Sequence, residues 1–229
     1  IFKQPAKLAV KDFYKLLKAE NSLKRMPNCC EAELLYNFGQ FFIGRLKTRF
    51  TQSAENPLND AGEASLHKYL NKIWPNLVLM FLNKPENHSE NQEIITFWSQ
   101  AEQLPESEKT YFHQRGLFNF HLAQTILALG FKNYAAAVNH AILAANYQQA
   151  AESGLAIATH NFYSSLAMLA QLSHQEIDPS DRAAFWQKIA ENQEQMKIWA
   201  AHAPMNFFHK YQLVEAEKAK CLGDYWQAG

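Results

Sequence analysis

Histidines and cysteines are the residues of this chain best suited to chemistry. Adjacent thiols at Cys29 and Cys30 could serve redox chemistry or modification, because a helix N-terminus favours the thiolate. Neighbouring cysteines rarely bridge each other, and Cys221 is predicted to be a small core residue. The chain has no C-x-x-C or H-E-x-x-H pattern, and no Glu followed three residues later by His. These spacings do not indicate a zinc or di-iron site.

The other candidate ligands are better explained as surface residues. Glu63 and His67 are four residues apart, a spacing that predicts an exposed pair on one helix face. His202 and His209 flank a helix break at Pro204, where a surface or capping role is expected. We therefore predict no catalytic, cofactor-binding or metal-binding residue in this chain.

Nucleotide and acyl-transfer chemistry are also not indicated. Gly39 and Gly44 have the spacing of a phosphate-binding loop, but Arg45-Leu46 follows where Lys and then Ser or Thr are needed. Ser164 and Ser165 lie inside a helical pattern, without the strand-turn-helix elbow of a catalytic serine. No cofactor is expected in this segment.

Composition predicts an all-α protein. The chain has 229 residues, with 31 Ala but only 4 Val, so helix formers dominate and strand formers are scarce. Lys plus Arg and Asp plus Glu each total 22, which gives no general attraction to nucleic acid or anionic membrane. The longest uncharged stretch, 153–175, contains too many polar groups for a membrane span.

Three cysteines and the absence of a signal peptide favour a reducing, cytoplasmic location. The first residue is Ile, from which we expect a piece of a longer protein.

Helix periodicity and turn residues give the elements of the first half. Pro75 is expected to kink or split the helix that contains it. The predicted elements are helices at 5–20 and 29–50, a loop at 51–62, a helix at 65–82, a linker at 83–91 and a short helix at 92–103. Lys3, Lys7, Lys11, Lys15 and Lys18 form a basic stripe on the first helix. This Lys3–Lys18 stripe is a solvated face, a contact for the acidic section 51–108, or a site for an acidic partner, RNA or a membrane surface.

The second half is poor in charge: between Gly116 and Gln175, only Lys132 and Glu152 are charged. Helices there are expected to be buried on more than one face. Gly130 is expected to adopt the left-handed conformation that ends one helix, and Gly223 to end another. The predicted helices reach Leu129, then cover 133–152, 155–173, a segment from an Asp178 cap to Pro204, and 205–222. The apolar stripe of the 133–152 helix is predicted to be Tyr134, Val138, Ala141, Ile142 and Ala145.

A weak internal repeat links two turns. Leu129-Gly130 followed by Asn133-Tyr134-Ala135 resembles Leu222-Gly223 followed by Asp224-Tyr225. Helix, turn, aromatic and small residue is the pattern of paired-helix repeats. We predict antiparallel helix pairs stacked as an irregular tetratricopeptide-like solenoid, with an N-terminal helical section at 1–105 and a repeat section at 106–229.

Two segments carry a resemblance to a known family. Residues 161–170, NFYSSLAMLA, and residues 199–228, WAAHAPMNFFHKYQLVEAEKAKCLGDYWQA, resemble segments of very large bacterial signalling proteins, common in cyanobacteria. Those proteins join a serine/threonine kinase, an AAA-type ATPase and a sensor histidine kinase. The similarity covers roughly 107–229, which corresponds to the tetratricopeptide-like region between the ATPase and the sensory domains.

The resemblance implies a parent with kinase activities and ATP binding in other domains, because none of the family's catalytic motifs fall within this chain. The expected function is a non-catalytic scaffold that couples the ATPase to the histidine kinase. Its partners would be neighbouring domains or another protein, with no nucleic acid and no membrane insertion. The alternative is a small-ligand sensor in the aromatic region 111–170, with His140, His160 or Asn161 as polar anchors.

Overall fold

A computed structural model describes residues 61–82, 88–151, 154–174 and 177–224 of this chain. All regular structure in these ranges is helical, with seven α-helices, one short 3₁₀ turn and no strand. The predicted all-α class is therefore confirmed for these ranges. The helices predicted at 5–20 and 29–50 lie outside the described residues.

The chain divides into two compact units, Ile1–Leu117 and Phe118–Gly229, here called the N-terminal and C-terminal units. The division falls inside a helix, whereas the sequence predicts one near 105. That predicted domain boundary stays a prediction.

Two helices form most of the described N-terminal unit. Helix α1 spans Ala61–Leu82 and α2 spans His88–Glu102. The Tyr69 ring stacks on Phe97 with centroids 4.1 Å apart, and the Tyr69 hydroxyl donates to Glu93. Inside the unit, the Asn76 side chain donates to Asn91. The contacts between α1 and α2 are therefore both aromatic and polar.

Helix α1 is continuous through Pro75. Proline removes one backbone hydrogen bond, at a cost of about 3 kcal/mol in a helix interior. Burial of Ile73, Trp74 and Leu77 on either side offsets that cost and keeps the helix whole. Of the two outcomes predicted at Pro75, a kink or a split, the split is wrong and the kink stays a prediction.

Two described helices begin inside segments that were predicted to be a loop and a linker. Helix α1 begins at Ala61, inside the predicted loop 51–62, and α2 begins at His88, inside the predicted linker 83–91. Of those residues, 51–60 and 83–87 lie outside the described part.

Helix α3 spans Tyr111–Gly130 and runs through the division between the units. The C-terminal unit then continues with four helices and a 3₁₀ turn: α4 at Tyr134–Asn146, the turn at Gln148–Ala150, α5 at Gly154–His174, α6 at Pro179–His202 and α7 at Pro204–Cys221. Contacts join α4 to α5, α5 to α6, α6 to α7, and α5 to α7.

The core of this unit is built around α5. Its apolar members come from α4 to α7 and include Val138, Met168, Leu169, Ile189, Met196 and Val214. Helix α5 has buried residues around most of its circumference, as its low charge predicts. Ile142, predicted to face inward on α4, is 48% exposed, so that assignment is wrong.

Local capping chemistry sets several helix ends. The Asp178 side chain accepts the Ser180 backbone N–H at 2.9 Å, and Pro179 is the first residue of α6. This confirms the predicted helix start. Helix α4 ends at Asn146, not at the predicted Glu152. The N–H of the next residue, Tyr147, donates to the carbonyl oxygens of Ala144 and Ala145, which closes the last turn.

The turns after α3 and α7 share one hydrogen-bond pattern. After α3, Asn133 N–H donates to Ala128 O at 2.8 Å and Lys132 is left-handed, with φ 61°. After α7, Asp224 N–H donates to Ala219 O at 2.8 Å and Gly223 has φ 79°. The prediction for Gly223 is confirmed. The prediction for Gly130 is wrong, because the chain reverses two residues later, at Lys132.

Candidate functional site

The centre of the C-terminal unit contains an unusual number of buried polar side chains. Helix α5 buries Thr159, His160, Asn161, Ser164 and Ser165. Thr159 Oγ1 donates to Leu155 O at 2.8 Å, and Ser165 Oγ donates to Asn161 O at 2.9 Å. These hydroxyls find partners one turn back on their own helix, which removes most of the cost of burying them.

Two histidines meet where α3 contacts α4. His121 Nδ1 lies 3.1 Å from His140 Nδ1, and the two rings are stacked with centroids 5.3 Å apart. His121 is 1% exposed, and the ring of Tyr147 lies parallel to it at 6.3 Å. One Nδ1 atom must donate and the other must accept.

A third histidine joins this group from α5. His160 Nε2 lies 2.8 Å from the carbonyl oxygen of Ala141, the residue after His140. A carbonyl can only accept, so His160 carries its proton on Nε2. The Phe118 ring lies 5.9 Å from the His160 ring. We call His121, His140 and His160 the histidine cluster.

Burial keeps the histidine cluster neutral. Burial, with a smaller contribution from a charge on His140, lowers the pKa of His121 to about 3. Burial also lowers the pKa of His140 and of His160, although the hydrogen bond to Ala141 opposes the shift at His160. Neutral imidazoles both donate and accept hydrogen bonds, so the cluster can hold neighbouring helices together or bind a neutral polar group.

A second polar group joins α5, α6 and α7. The Asn192 side chain donates to Ser165 Oγ at 3.1 Å. Its neighbour Gln193 donates to the backbone oxygen of Tyr211 at 3.2 Å and to Glu215 at 2.7 Å. Each α6 residue therefore bonds a different helix, which fixes the position of α6 relative to both.

Lys210 is a buried cation on α7. Its Nζ lies 4.4 Å from the centre of the Phe162 ring on α5. Burial lowers its pKa to about 8. The aromatic face stabilises the remaining positive charge, so this contact also joins α5 to α7.

The three polar anchors predicted for a ligand have different surroundings. His160 and Asn161 are buried and His140 is partly buried. Of these three, His160 and His140 belong to the histidine cluster. His160 bonds the carbonyl of Ala141, and His140 bonds His121. Asn161 Oδ1 is buried without a hydrogen-bond partner. His121 was not among the predicted anchors. Its only signal in the sequence is that it is a histidine within a helical pattern that is poor in charge.

The remaining candidate residues are exposed, partly buried or outside the described residues. His202 and His209 are exposed, and Cys221 is partly buried against the core. Cys29, Cys30, Gly39, Gly44 and the Lys3–Lys18 stripe lie outside the described residues, as do the side chains of Glu63 and His67. Among the described side chains, no group of three or more His, Cys, Asp or Glu could hold a metal ion.

Comparisons with protein families, curated proteins and solved structures find no match for this chain. Within the described ranges, no helix combines the length and apolar character needed to cross a membrane.

Proposed function

We propose that this chain is a non-catalytic, tetratricopeptide-like scaffold within a multidomain bacterial signalling kinase. It couples an ATPase to a sensor histidine kinase in the cytoplasm through contacts between proteins or domains. The observation that carries the proposal is the contact of α5 with both α6 and α7. With α4–α5 and α6–α7 as the pairs, α5 contacts its own partner α4 and both helices of the next pair, as expected where each repeat packs on its neighbour.

The order of side-chain contacts supports antiparallel pairing. Tyr134 near the start of α4 contacts His174 at the end of α5, while Ala141 further along α4 contacts His160. On α6 and α7, Gln193 contacts Glu215 while the later Trp199 contacts Phe207. In both pairs, contacts move backward along one helix as they move forward along the other.

The matched turns support an internal repeat. Asn133 follows the left-handed Lys132 and caps α4, since its side chain accepts the Ala136 N–H at 3.3 Å. Asp224 follows the left-handed Gly223 with the same backbone hydrogen bond, and Asp has the same capping chemistry as Asn. The best register pairs Lys132 with Gly223, not Gly130 with Gly223.

The neighbouring genetic sequence and an activity assay test this proposal. We expect a phosphate-binding loop encoded before this segment and a histidine kinase core after it. The purified chain should neither hydrolyse ATP nor phosphorylate itself. A reading frame without either domain, or ATP turnover by the purified chain, would contradict it.

A second candidate function is small-ligand sensing in region 111–170. The favouring observation is Asn161 Oδ1, a buried acceptor without a partner, which a ligand donor would satisfy. Thermal-shift screening against a metabolite collection tests it. We expect a ligand to raise the melting temperature of the native chain and to lose that effect in Asn161→Leu. The control Thr125→Val changes a hydroxyl that donates to its own helix at His121 O and should keep the effect. A collection that leaves the native chain unshifted counts against sensing.

A further inference from the structure

Helices α3 and α7 bury the same inner face. Equivalent positions are found by counting back from the left-handed residue that follows each helix, Lys132 or Gly223. At thirteen and nine residues back, both helices have a buried side chain. These residues are Asn119 and Ala123 on α3, and Lys210 and Val214 on α7.

The same count aligns the contacts with the preceding helix. Sixteen residues back, Gly116 of α3 lies against Trp98 of α2. The equivalent residue of α7 is Phe207, whose ring centroid lies 6.1 Å from that of Trp199 on α6. The two helices therefore present the same side to the helix before them.

The two helices differ on another side. On α7, Phe208, His209, Gln212 and Leu213 are exposed, and we call these four residues the α7 outer face. The α3 residues equivalent to the last three are all buried; they are Phe118, His121 and Leu122. A side that is covered on α3 is therefore open on α7 within the described residues.

The helix pair that follows α3 in the chain covers this side of α3. His121 Nδ1 lies 3.1 Å from His140 Nδ1 on α4, and the Phe118 ring lies 5.9 Å from the His160 ring on α5. Repeat arrays need a polar face where they end. The α7 outer face instead presents the apolar side chains of Phe208 and Leu213.

The turn after α7 matches the turn that leads from α3 into α4. Asn133 N–H donates to Ala128 O, and Asp224 N–H donates to Ala219 O, at 2.8 Å in both turns. Asn133 caps α4, and Asp is an equally good capping residue. The sequence that follows is YAAA at 134–137 and YWQA at 225–228, with Tyr and Ala in the same places.

We propose that the α7 outer face is the docking site for the next helix pair of the same chain, whose first helix begins after Asp224. That helix packs on α7 as α4 packs on α3, which places Gln212 at the centre of the contact, where α3 has His121. This inference deepens the proposed scaffold and rests on its internal repeat, but not on the coupling of an ATPase to a kinase.

Cysteine labelling of the full-length natural protein tests the proposal. Gln212→Cys places a thiol on the α7 outer face, and the control Gln195→Cys places one at an exposed position of α6. Mass spectrometry separates maleimide labelling of each new thiol from that of the native cysteines, and labelling in urea gives the intrinsic rates. We expect labelling at 212 to be at least about tenfold slower than at 195, because a covered thiol reacts only through local opening.

Substitutions at the start of the proposed helix identify what covers the face. Ala228→Pro removes the N–H that would bond the carbonyl of Asp224 and breaks the helix, so labelling at 212 should rise to the rate at 195. Ala228→Ser keeps that N–H and should keep the protection. Asp224→Ala removes the cap and should raise the rate about fivefold, whereas Asp224→Asn keeps the capping chemistry and should not.

Three results would overturn the proposal. Equal rates at 212 and 195 in the native background mean that the face is open. Protection that survives Ala228→Pro means that another protein covers it, and protection that disappears on dilution means that a second copy does. If circular dichroism shows that Ala228→Pro does not fold, the two Asp224 variants decide. These measurements do not read ATP turnover or kinase activity, so their failure is distinct from failure of the proposed coupling.

Discussion

At the scale of single residues, the backbone at Lys132 has the conformation usually adopted by glycine. Its φ of 61° places the side chain close to the following carbonyl, at a cost of about 1–2 kcal/mol for a residue with a Cβ atom. Gly223 occupies the same position after α7 at φ 79° without that cost. The two turns therefore form a natural comparison of the same backbone with and without a side chain.

We expect Lys132→Gly to stabilise the chain by about 1 kcal/mol, because glycine adopts this conformation without steric cost. Gly223→Ala should destabilise it by a similar amount. Urea unfolding of both variants checks the pair. If Lys132→Gly lowers the stability, the left-handed conformation is not the source of strain.

Features set by neighbouring residues were predictable from the sequence at this scale. The Asp178–Pro179 helix start follows from side-chain capping, and the ion pairs Glu215–Lys218 and Glu217–Lys220 follow from helical spacing. The left-handed Lys132 was not predictable, because glycine at 130 was the lower-energy choice. The chain instead reverses two residues later, where the Asn133 N–H bonds Ala128 O.

At the scale of helices, a missing side chain lets two elements meet in the N-terminal unit. A Cβ atom at Gly116 on α3 would overlap the six-membered ring of Trp98 on α2. Trp98 is fully buried, so its ring has little room to move. Glycine is required at this position for close approach.

Gly116→Ala should therefore destabilise the N-terminal unit by about 1–3 kcal/mol, the usual cost of overpacking. Alanine would otherwise favour the helix by about 1 kcal/mol. Trp98→Phe removes the outer ring atoms and should restore part of the loss in the double variant. Gly154→Ala is the control, since nothing lies within 4 Å of a Cβ atom there. Thermal unfolding of the four variants measures these differences, and a neutral Gly116→Ala would refute the steric argument.

Helix α6 depends on its buried amide for its place against α5. Asn192→Ala removes the hydrogen bond to Ser165 and leaves a cavity, so we expect a loss of about 1–3 kcal/mol. Gln195→Ala, an exposed change on the same helix, should have little effect. A double-mutant cycle with Ser165→Ala isolates the pair, with an expected coupling of about 1 kcal/mol. If the stability losses of the two single variants simply add in the double variant, the Asn192–Ser165 hydrogen bond contributes no coupling energy.

The ends of elements were harder to predict than their existence. Periodicity correctly indicated α4, but placed Ile142 inward and extended the helix to Glu152. The stripe of apolar residues on α4 is broad and rich in alanine, so several rotations of the helix bury a similar area. Contacts from α3 and α5, such as those of His121 and His160, select one rotation.

At the scale of the whole molecule, the balance of charge affects its behaviour in solution. Basic and acidic side chains are equal in number at 22 each. Large apolar side chains are exposed on α6 and α7, including Ile198 at 51% and Phe208 at 52%. Without net repulsion between molecules, these side chains favour self-association near pH 7.

Light scattering at increasing concentration should show more association at pH 7 than at pH 9, where the chain is negatively charged. Phe208→Ser should reduce association at pH 7, whereas Gln212→Ser, an exposed polar change on the same helix, should not. Equal scattering at both pH values would show that net charge does not control association.

The helical class was predictable from composition alone, but the histidine cluster was not. His121, His140 and His160 are separated by about twenty residues each, and only the crossing of α3, α4 and α5 brings them together. A sequence shows which faces are apolar, but not which polar residues on different helices share one depth in the core.

The connection between α6 and α7 has a mechanical consequence. Ala203 alone separates the two helices; its N–H bonds Trp199 O at 2.8 Å, and its carbonyl accepts the N–H groups of Asn206 and Phe207. A joint with both backbone groups committed has no spare length to stretch. A rotation of α6 must therefore be transmitted directly to α7, because no flexible loop lies between the two helices to absorb it.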